Sequence, residues 1–430
     1  MAVHETAAVD FFIKVVNYQL SVKKKKAWHP VVDFFRWRSH MNTRERFIAV
    51  TNCQPTDRTL KWEMGYWGGA IRRWYKEGLP KIKGIPEAVA DGSAVMGEDI
   101  TIDPQTMNPI DAAKRDTDVS DYFGSDEPIW RVPLNNYVYP LYEEEILEDH
   151  GSWVLMRDQF GVISKNTKDR NGFPHWIETP VKTRDDWEKL KVERLKPTLN
   201  GRLPENWSQW KEVFKDRTFP LIFGGYPTGF YGTARFLLGE ENVMLAFYDT
   251  PELVRDIMEY MANFWVGLYD QVLNEIDVDG ILIWEDMCYK NGPLISPAMF
   301  REFILPGYKK VTDCLKSHGV KSIVVDTDGA CGELIPLFIE GGVTAMGPFE
   351  QAAGMDIVKV RKEFPDMAIL GGIDKAKLKD GKEAIDKELE KVPWLLEQGG
   401  FVPHVDHQVP MDVPWENFKY YRQKLNKMIG

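Results

Sequence analysis

Short apolar segments that end in polar residues recur along this chain, and a stretch with helical spacing of apolar residues follows most of them. The segments are continuous rather than alternating, as in strands buried on both faces of a parallel sheet. Seven of them read as strands: 60–64, 220–224, 280–284, 321–325, 343–346, 367–370 and 401–405. Crossover helices between parallel strands predict an α/β fold, an eight-stranded (β/α)8 barrel with one strand hard to place. An open doubly wound sheet is the alternative, but no glycine-rich phosphate loop follows the first strand.

Helix boundaries are marked by capping residues. Thr250, Pro251 and Glu252 have the order of an N-cap, a first helical residue and a first-turn acid, before an amphipathic stretch that reaches residue 276. Ser296 with Pro297 repeats this start, and Gly319 is typical of the end of that helix. Both patterns predict helices between consecutive strands.

Segment 98–182 departs from the strand–helix alternation. It is rich in Pro, Asn and Gly, and its alternating stretches 153–156 and 159–164 predict a β-hairpin or meander that covers one end of the barrel. Residues 1–40 differ again, with helical spacing over 9–22 and four lysines at 23–26, as in a packing arm or a partner-docking arm. We therefore predict a helical N-terminal extension, 1–40, and a single barrel domain, 41–430, with 98–182 as a β-rich insertion.

Composition excludes several classes of protein. Lys and Arg number 54 against 65 Asp and Glu, a net charge of -11, which disfavours binding to nucleic acid because phosphate contacts need clustered cations. The four cysteines form no CxxC pair, so neither a disulfide framework nor a thiolate zinc cage is indicated. No apolar run approaches the ~20 residues of a membrane span, and the start lacks the order of a signal peptide. We expect a cytoplasmic enzyme with no membrane or nucleic-acid partner.

Acids and histidines stand where the predicted strands end. The carboxyl ends of parallel barrel strands form the active-site face, so these side chains should converge there. They are Glu63, Glu285, Asp286, Asp326, Asp328, Glu350, Asp374, His404, Asp406 and His407. Several carboxylates buried together are costly unless a cation, a metal or shared protons compensate them.

Three interpretations of this set compete. Asp326, Asp328 and His407 have the oxygen and nitrogen donors that suit a divalent metal, zinc among them. Alternatively, acids with raised pKa values donate protons, and the candidates for catalytic residues are then Glu285, Asp286, His404 and Asp406. Some acids could instead only cap the next helix, which leaves His404 and His407 unexplained. A pocket for an aromatic substrate is predicted from Trp62, Glu63, Tyr66, Trp67 and Tyr226.

The motifs at the strand ends resemble those of the uroporphyrinogen decarboxylase superfamily. They are Ile-Trp-Glu-Asp at 283–286, Gly-Pro-Leu-Ile-Ser-Pro at 292–297, Asp328–Gly329 with Leu-Ile-Pro at 334–336, Gly-Met-Asp at 354–356, Gly-Gly-Ile-Asp at 371–374, and 407–417 with Pro410, Asp412, Pro414 and Glu416. The resemblance covers 41 to the C-terminus and is weakest across 98–182. It implies a TIM barrel, which true decarboxylases share with cobamide-dependent methyltransferases.

The resemblance also separates these two activities. True decarboxylases carry an Arg-Gln-Ala-Gly-Arg-type segment after the first strand, which grips substrate propionates, whereas residues 63–69 here read Glu-Met-Gly-Tyr-Trp-Gly-Gly. An acid with aromatic residues cannot clamp an eight-carboxylate porphyrinogen, and the net charge is unfavourable as well. Decarboxylation of uroporphyrinogen is therefore not the expected reaction.

The thiol-methylating branch implies a different expectation. Its zinc-binding His-x-Cys pair and later Cys fall on Asp326, Asp328 and His407, so no thiolate remains and an oxygen-rich metal site would polarise an ether oxygen. The resemblance thus implies an O-demethylase-like methyltransferase that moves a methyl group from a small methylated donor, such as an aryl methyl ether, to Co(I). With no Asp-x-His-x-x-Gly corrinoid motif in the chain, cobalamin would arrive on a separate corrinoid protein.

Other functions stay open on the sequence alone. A decarboxylase or lyase of the same superfamily acting on another small acid, a metal-dependent hydrolase, and a binding module on a barrel without chemistry are the alternatives. A homodimer and a monomer are equally compatible with the sequence.

Overall fold

The computed structural model of this protein describes residues 40–85, 87, 89–96, 99–100, 118–168 and 174–430. The predicted N-terminal extension, including the helical stretch 9–22 and the lysines 23–26, lies outside the described residues except for His40. Residues Met41–Gly430 group into one compact unit. Within the described ranges, no helix has the length and apolar character that crossing a bilayer would require.

The strands are numbered in chain order. They are β1 Gly65–Trp67, β2 Ala94–Met96, β3 Asp99–Ile100, β4 Ile129–Arg131, β5 Glu145–Asp149, β6 Trp153–Arg157, β7 Ile163–Thr167, β8 His175–Glu178, β9 Leu221–Gly224, β10 Gly280–Trp284, β11 Cys288–Tyr289, β12 Gly292–Pro293, β13 Ser322–Thr327, β14 Ala345–Pro348, β15 Ala368–Leu370 and β16 Phe401–Val402.

The helices surround these strands. They are α1 Thr43–Val50, α2 Gly68–Glu77, α3 Asp118–Phe123, α4 Arg184–Arg194, α5 Trp207–Lys215, α6 Phe230–Leu238, α7 Glu240–Asp249, α8 Pro251–Leu273, α9 Pro297–Met299, α10 Leu305–Ser317, α11 Ile335–Glu340, α12 Ile357–Glu363, α13 Lys382–Leu389, α14 Val392–Gln398 and α15 Trp415–Ile429. A π-helical turn, Phe300–Ile304, joins α9 to α10.

Eight strands form one parallel sheet in the order β16-β15-β14-β13-β10-β9-β4-β3. Its centre is β10, which pairs with β13 from Gly280 opposite Ser322 to Trp284 opposite Asp326, and with β9 on its other side. A parallel sheet with helices between its strands is the predicted TIM-like α/β fold, and this prediction is confirmed.

Alternate residues of the parallel strands point into the interior of the barrel and fill it. A buried cluster unites the inward side chains of the neighbouring strands: Ile222, Val324, Ala345, Ala368, Leu370 and Val402, together with Phe47, Val50, Leu60, Trp62 and Ile129. The residues between them, such as Ile281, Ile323 and Ile369, belong instead to the larger core that the strands share with the helices. This period of two fixes which strand-end side chains reach the interior.

Segment 60–64 belongs to no strand, although it was predicted as the first one. It still delivers Leu60 and Trp62 to the interior cluster. Side chains replace a regular ladder here: the Thr59 hydroxyl donates to the Phe401 carbonyl at 2.5 Å, and the Val405 amide donates to Glu63 at 2.8 Å. The segment is therefore held against its neighbour without strand geometry.

The region predicted as an insertion is of two kinds. Residues 145–178 contain the four-stranded antiparallel sheet β5–β6–β7–β8 that the alternating pattern indicates. However, β3 and β4, which also fall within 98–182, pair in parallel with the main sheet and extend it beyond β9. Phe160 lies 6.3 Å from Tyr226 between ring centroids, so the antiparallel sheet contacts the segment that follows β9.

The predicted helix caps are confirmed at two positions and not at the third. Ser296 accepts a hydrogen bond from the Met299 amide at 3.2 Å, and Gly319 has the positive φ of 83° expected after a helix. Thr250 precedes α8 as predicted but does not cap it, because its side chain makes no cap hydrogen bond and its hydroxyl contacts Ala246 O at 3.5 Å.

Candidate functional site

The opening at the carboxyl ends of the parallel strands, called the mouth below, carries side chains that continue the inward rows. Along β10 and β13, the period of two that places Leu282 and Val324 in the interior places Trp284 and Asp326 at the mouth. The same reasoning brings Arg131 inward at the end of β4. Asp286 lies two residues after the end of β10, and Asp328 directly follows β13.

Four ionisable residues form what we call the mouth cluster: Asp286, Asp326, Asp328 and His407. His407 Nε2 lies 3.4 Å from a carboxylate oxygen of Asp328, and both side chains are partly exposed. Asp286 has a positive φ of 43° and pairs with Arg235 at 2.7 Å. The negative charges of Asp286 and Asp328 both act on Asp326.

The pKa of Asp326 is the most informative electrostatic property of the cluster. Burial above all, together with the charges of Asp328 and Asp286, raises the pKa of Asp326 to about 8, against the opposing effects of His407 and Arg131. Its carboxyl group is therefore mostly protonated near neutral pH, which allows it to act as a proton donor.

The pKa values of two neighbours of Asp326 are raised as well. Burial raises the pKa of Asp286, against the opposing charge of Arg235. Burial lowers the pKa of His407, but the hydrogen bond and charge of Asp328 outweigh it, so the pKa of His407 is raised. When it is protonated, the His407 ring beside Asp328 offsets part of the negative charge at the mouth.

Aromatic rings line two sides of the mouth cluster. The half-buried Trp67 lies 6.5 Å from His407 between ring centroids. On the other side, Tyr226 has 61% of its surface exposed and lies edge-on to Trp284 at 4.9 Å, and the Arg235 guanidinium lies 5.0 Å from the Trp284 ring. This wall offers an apolar surface beside the acids.

The predicted metal ligands are only partly gathered. Asp328 and His407 are close enough to share an ion, but Asp326, Asp328 and His407 do not bring one ligand atom each within 4.8 Å of the others. In the described part of the chain, only Asp270, Cys314 and His318 do so. The residues at the mouth thus do not fit a preformed three-ligand site, and a metal there stays a prediction.

Glu285 lies away from the mouth. Its carboxylate is fully buried and accepts hydrogen bonds from the amides of Phe230, Tyr231 and Gly232, at 3.0, 2.6 and 3.1 Å, and from the Tyr308 hydroxyl at 2.6 Å. It therefore holds the N-terminus of α6 against the sheet. Burial raises the pKa of Glu285, and these four donors oppose that effect.

His404 and Asp406 are buried too, with 2% and 1% of their surfaces exposed. Asp406 accepts hydrogen bonds from the amides of Gln351, at 2.7 Å, and Lys375, at 3.0 Å, which begin two 3-10 turns. Burial lowers the pKa of His404 to about 4, so its ring is neutral. Of the three polar residues after β16, His407 is the one at the mouth cluster.

Some of the predicted substrate-binding residues lie at the mouth, and the others are buried away from it. Trp67 and Tyr226 lie at the mouth. Trp62 belongs to the interior cluster, Tyr66 packs at 5.5 Å on Trp74, and Glu63 is 3.4 Å from the buried Arg422. Because Trp62, Glu63 and Tyr66 are each at most 2% exposed, they leave no surface for a ligand.

Sequence reasoning missed two arginines at the mouth. Arg131 donates to the Gly224 carbonyl at 2.5 Å, and Arg235 pairs with Asp286. The signal for Arg131 was the short sequence Ile129–Arg131, whose alternation is that of an inward, outward, inward strand. It was hidden because it lies in the region interpreted as an insertion.

A parallel barrel sheet whose carboxyl ends gather acids, histidine and aromatic rings is the arrangement of a TIM-like α/β enzyme. The family model described as uroporphyrinogen decarboxylase (URO-D) matches residues 159–427. That match covers more than half of the chain, so this protein belongs to the uroporphyrinogen decarboxylase family, and the resemblance read from its motifs is confirmed.

Individual relatives are distant. The chain is 23% identical over 367 residues to a uroporphyrinogen decarboxylase of Streptomyces coelicolor, covering 80% of this chain and 83% of that protein. It is 23% identical over 386 residues to the Streptomyces avermitilis enzyme of the same name, covering 85% and 89%. A methyltransferase from Methanosarcina mazei matches in structure, with a TM-score of 0.55, 16% identity, and coverage of 90% of this chain and 100% of that one. At this identity the structural match supports the fold alone.

Proposed function

We propose that this protein is a methyltransferase that moves a methyl group from a small methylated substrate, an aryl methyl ether being the first candidate, to a corrinoid carried by a separate protein. The observation that carries the proposal is Asp326, an inward acid at the mouth whose pKa is raised to about 8 by burial and by its acidic neighbours. A departing phenoxide or alkoxide needs a proton, and a carboxyl group that is protonated near neutral pH supplies it.

The roles divide among few residues. A corrinoid bound at the mouth would supply the nucleophile to which the methyl group is transferred. As the bond between the methyl carbon and oxygen breaks, the carboxyl of Asp326 gives its proton to the departing oxygen and becomes a carboxylate. Trp67, Trp284 and Tyr226 would contact the aryl ring, since each is an aromatic side chain at the mouth with part of its surface exposed. His407, held by Asp328, would stabilise the carboxylate left on Asp326.

The cations at the mouth are too few for a porphyrinogen substrate. Arg131 donates to the Gly224 carbonyl and Arg235 pairs with Asp286, and two arginines so engaged cannot clamp a ligand with many carboxylates. The segment that should hold an arginine clamp instead carries Glu63, which is buried and paired with Arg422. A neutral methyl donor meets neither obstacle.

A second candidate is a decarboxylase or lyase of another small acid. The observation that favours it is the pair of cations at the mouth, Arg131 and Arg235, which suit a single carboxylate. The names of the curated relatives agree with that class. A divalent ion among Asp326, Asp328 and His407 is likewise a competing source of polarisation for the leaving oxygen.

One assay separates these proposals. Purified protein is mixed with a methoxyarene and Co(I) cobalamin, and the absorbance of methylated cobalamin is followed. We expect turnover that survives treatment with chelator and is lost in Asp326→Asn. If no methoxyarene yields methylated cobalamin while a small carboxylic acid releases CO₂, the methyltransferase proposal fails. If chelator abolishes turnover reversibly, the metal rather than the acid polarises the oxygen.

A further inference from the structure

A second group of potential ligands lies on the outside of the barrel, in the last turns of two helices. Asp270 belongs to α8, Cys314 to α10, and His318 directly follows α10. A carboxylate oxygen, the Sγ atom and a ring nitrogen of these three residues all lie within 4.8 Å of one another. His318 Nε2 is 2.9 Å from Asp270 Oδ1.

The packing of the two helices explains why these side chains meet. Cys314 and His318 are four residues apart, so they share one face of the helix. Lys310 of α10 donates a hydrogen bond to Asn263 of α8, and two turns further along His318 reaches Asp270. The helices thus run in the same direction with a fixed register, and the three ligands need no rearrangement of the backbone to converge.

We propose that Asp270, Cys314 and His318 bind one divalent transition-metal ion, zinc in the first place. Thiolate, imidazole and carboxylate are the three protein ligands of zinc, and a water molecule would complete the tetrahedron. The sulfur and nitrogen donors disfavour magnesium and calcium, which prefer oxygen. The C-terminal ends of α8 and α10 add their partial negative charges, which favour a cation there.

A surface ion pair is the simpler explanation of part of this geometry. It accounts for His318 with Asp270, and such exposed pairs contribute little to stability. It does not account for the third donor, the half-buried thiol of Cys314, at the same point. A metal ion uses all three.

The position of this group separates it from the reaction at the mouth. Both helices end just before β10 and β13 begin, so the ligands lie at the amino ends of the strands, opposite the mouth. In barrels of this kind, that end contributes to stability and the carboxyl end to catalysis. The ion would therefore clip α8 to α10 without entering the reaction.

Cobalt substitution tests the site directly. The full chain is stripped with chelator and titrated with Co²⁺. We expect one equivalent to give a thiolate-to-cobalt charge-transfer band that zinc abolishes by displacement. The band should vanish in Cys314→Ser and weaken in His318→Ala, whereas Cys53→Ser, which removes another half-buried thiol, should keep it. Loss of the band in Cys314→Ser distinguishes this site from metal bound near the mouth, where the thiols of Cys288 and Cys331 lie close to Asp286 and Asp328.

Thermal unfolding supplies the second readout. Zinc at about a hundredfold excess over its Kd should raise the Tm of the wild type by about 2 to 4 °C. Cys314→Ser should show no such rise and should keep the wild-type rate of turnover. Absence of the cobalt band in the wild type, its persistence in Cys314→Ser, or an equal zinc-dependent rise of Tm in that variant would each overturn the proposal.

Discussion

Replacing Asp326 with asparagine tests the proton donor at the mouth most directly. The change keeps the shape of the side chain and the backbone carbonyl that accepts a hydrogen bond from the Glu285 amide at 2.9 Å. It replaces the acidic OH group with an amide NH2 group that does not act as an acid. We expect the variant to fold and to lose roughly two to four orders of magnitude in the rate of methyl transfer, the usual contribution of a general acid.

The pH dependence of the methyl-transfer rate is a second, independent test of Asp326 as the proton donor. With a pKa of about 8, the carboxyl of Asp326 is mostly protonated at neutral pH and mostly ionised one unit above that pKa. The rate of the wild type should therefore fall about tenfold between about pH 7 and about pH 9. The residual rate of Asp326→Asn should show no decline centred on that pKa.

The stability of the wild type should also fall as pH rises. The pKa of Asp326 in the folded chain lies above its ordinary value of 3.8. The stability linked to its protonation is therefore fully present in acid and is lost as pH rises through about 8. The amide of Asp326→Asn never ionises, so the Tm of the variant should rise relative to that of the wild type at alkaline pH.

Asp356→Asn is the matched control. Asp356 caps α12 by accepting hydrogen bonds from the amides of Val358 and Lys359 at 3.0 and 3.3 Å. Asparagine caps equally well, so this variant should keep both activity and stability. A rate in Asp326→Asn within about tenfold of the wild type, which is less than a general acid contributes, would refute the reasoning. So would a wild-type rate that stays level across the alkaline range.

Three further predictions concern the groups around the mouth. Glu285→Gln should lower the free energy of unfolding by about 2 to 4 kcal/mol, because the four donors around this buried carboxylate lose a charged acceptor; the exposed Glu302→Gln should change it by less than about 0.5 kcal/mol in urea denaturation. Arg422→Met should cost about 3 to 5 kcal/mol by stranding the buried Glu63, and the double variant with Glu63→Gln should recover part of that loss. In Asp328→Asn, NMR titration should show a lower pKa for His407, since Asp328 is the partner that raises it; an unchanged pKa would contradict the assigned pair.

The fold was largely predictable from the sequence where strands are long and apolar. The observed bounds of β10, Gly280–Trp284, coincide with the predicted segment. By contrast, β3 and β4 have only two and three residues, which is too short for a continuous apolar run to indicate a strand. The prediction of a strand over 60–64 was wrong for another reason: its apolar residues are buried without the backbone pairing that defines a strand.

The candidate site was predictable only at the level of position. Strand ends predict where acids gather, but hydrogen-bond partners decide which acids are free to react, and those partners are distant in sequence. Asp406 is held by Gln351 and Lys375, 55 and 31 residues away, and Glu63 by Arg422, 359 residues away. No local pattern distinguishes these buried acids from Asp326.

Adjacent residues at the end of β10 show how the barrel separates structure from chemistry. Alternation along β10 turns Glu285 outward to the helix layer, because Trp284 before it points inward. Asp286 follows with a positive φ of 43° and lies at the mouth. The outward acid meets the amide groups at the start of α6 and the Tyr308 hydroxyl, which satisfy it completely. The inward acid meets Arg235 and the neighbouring Asp328, and its charge contributes to the raised pKa of Asp326. The two adjacent carboxylates thus have different roles: one positions a helix, and the other helps to raise the pKa of the proposed proton donor.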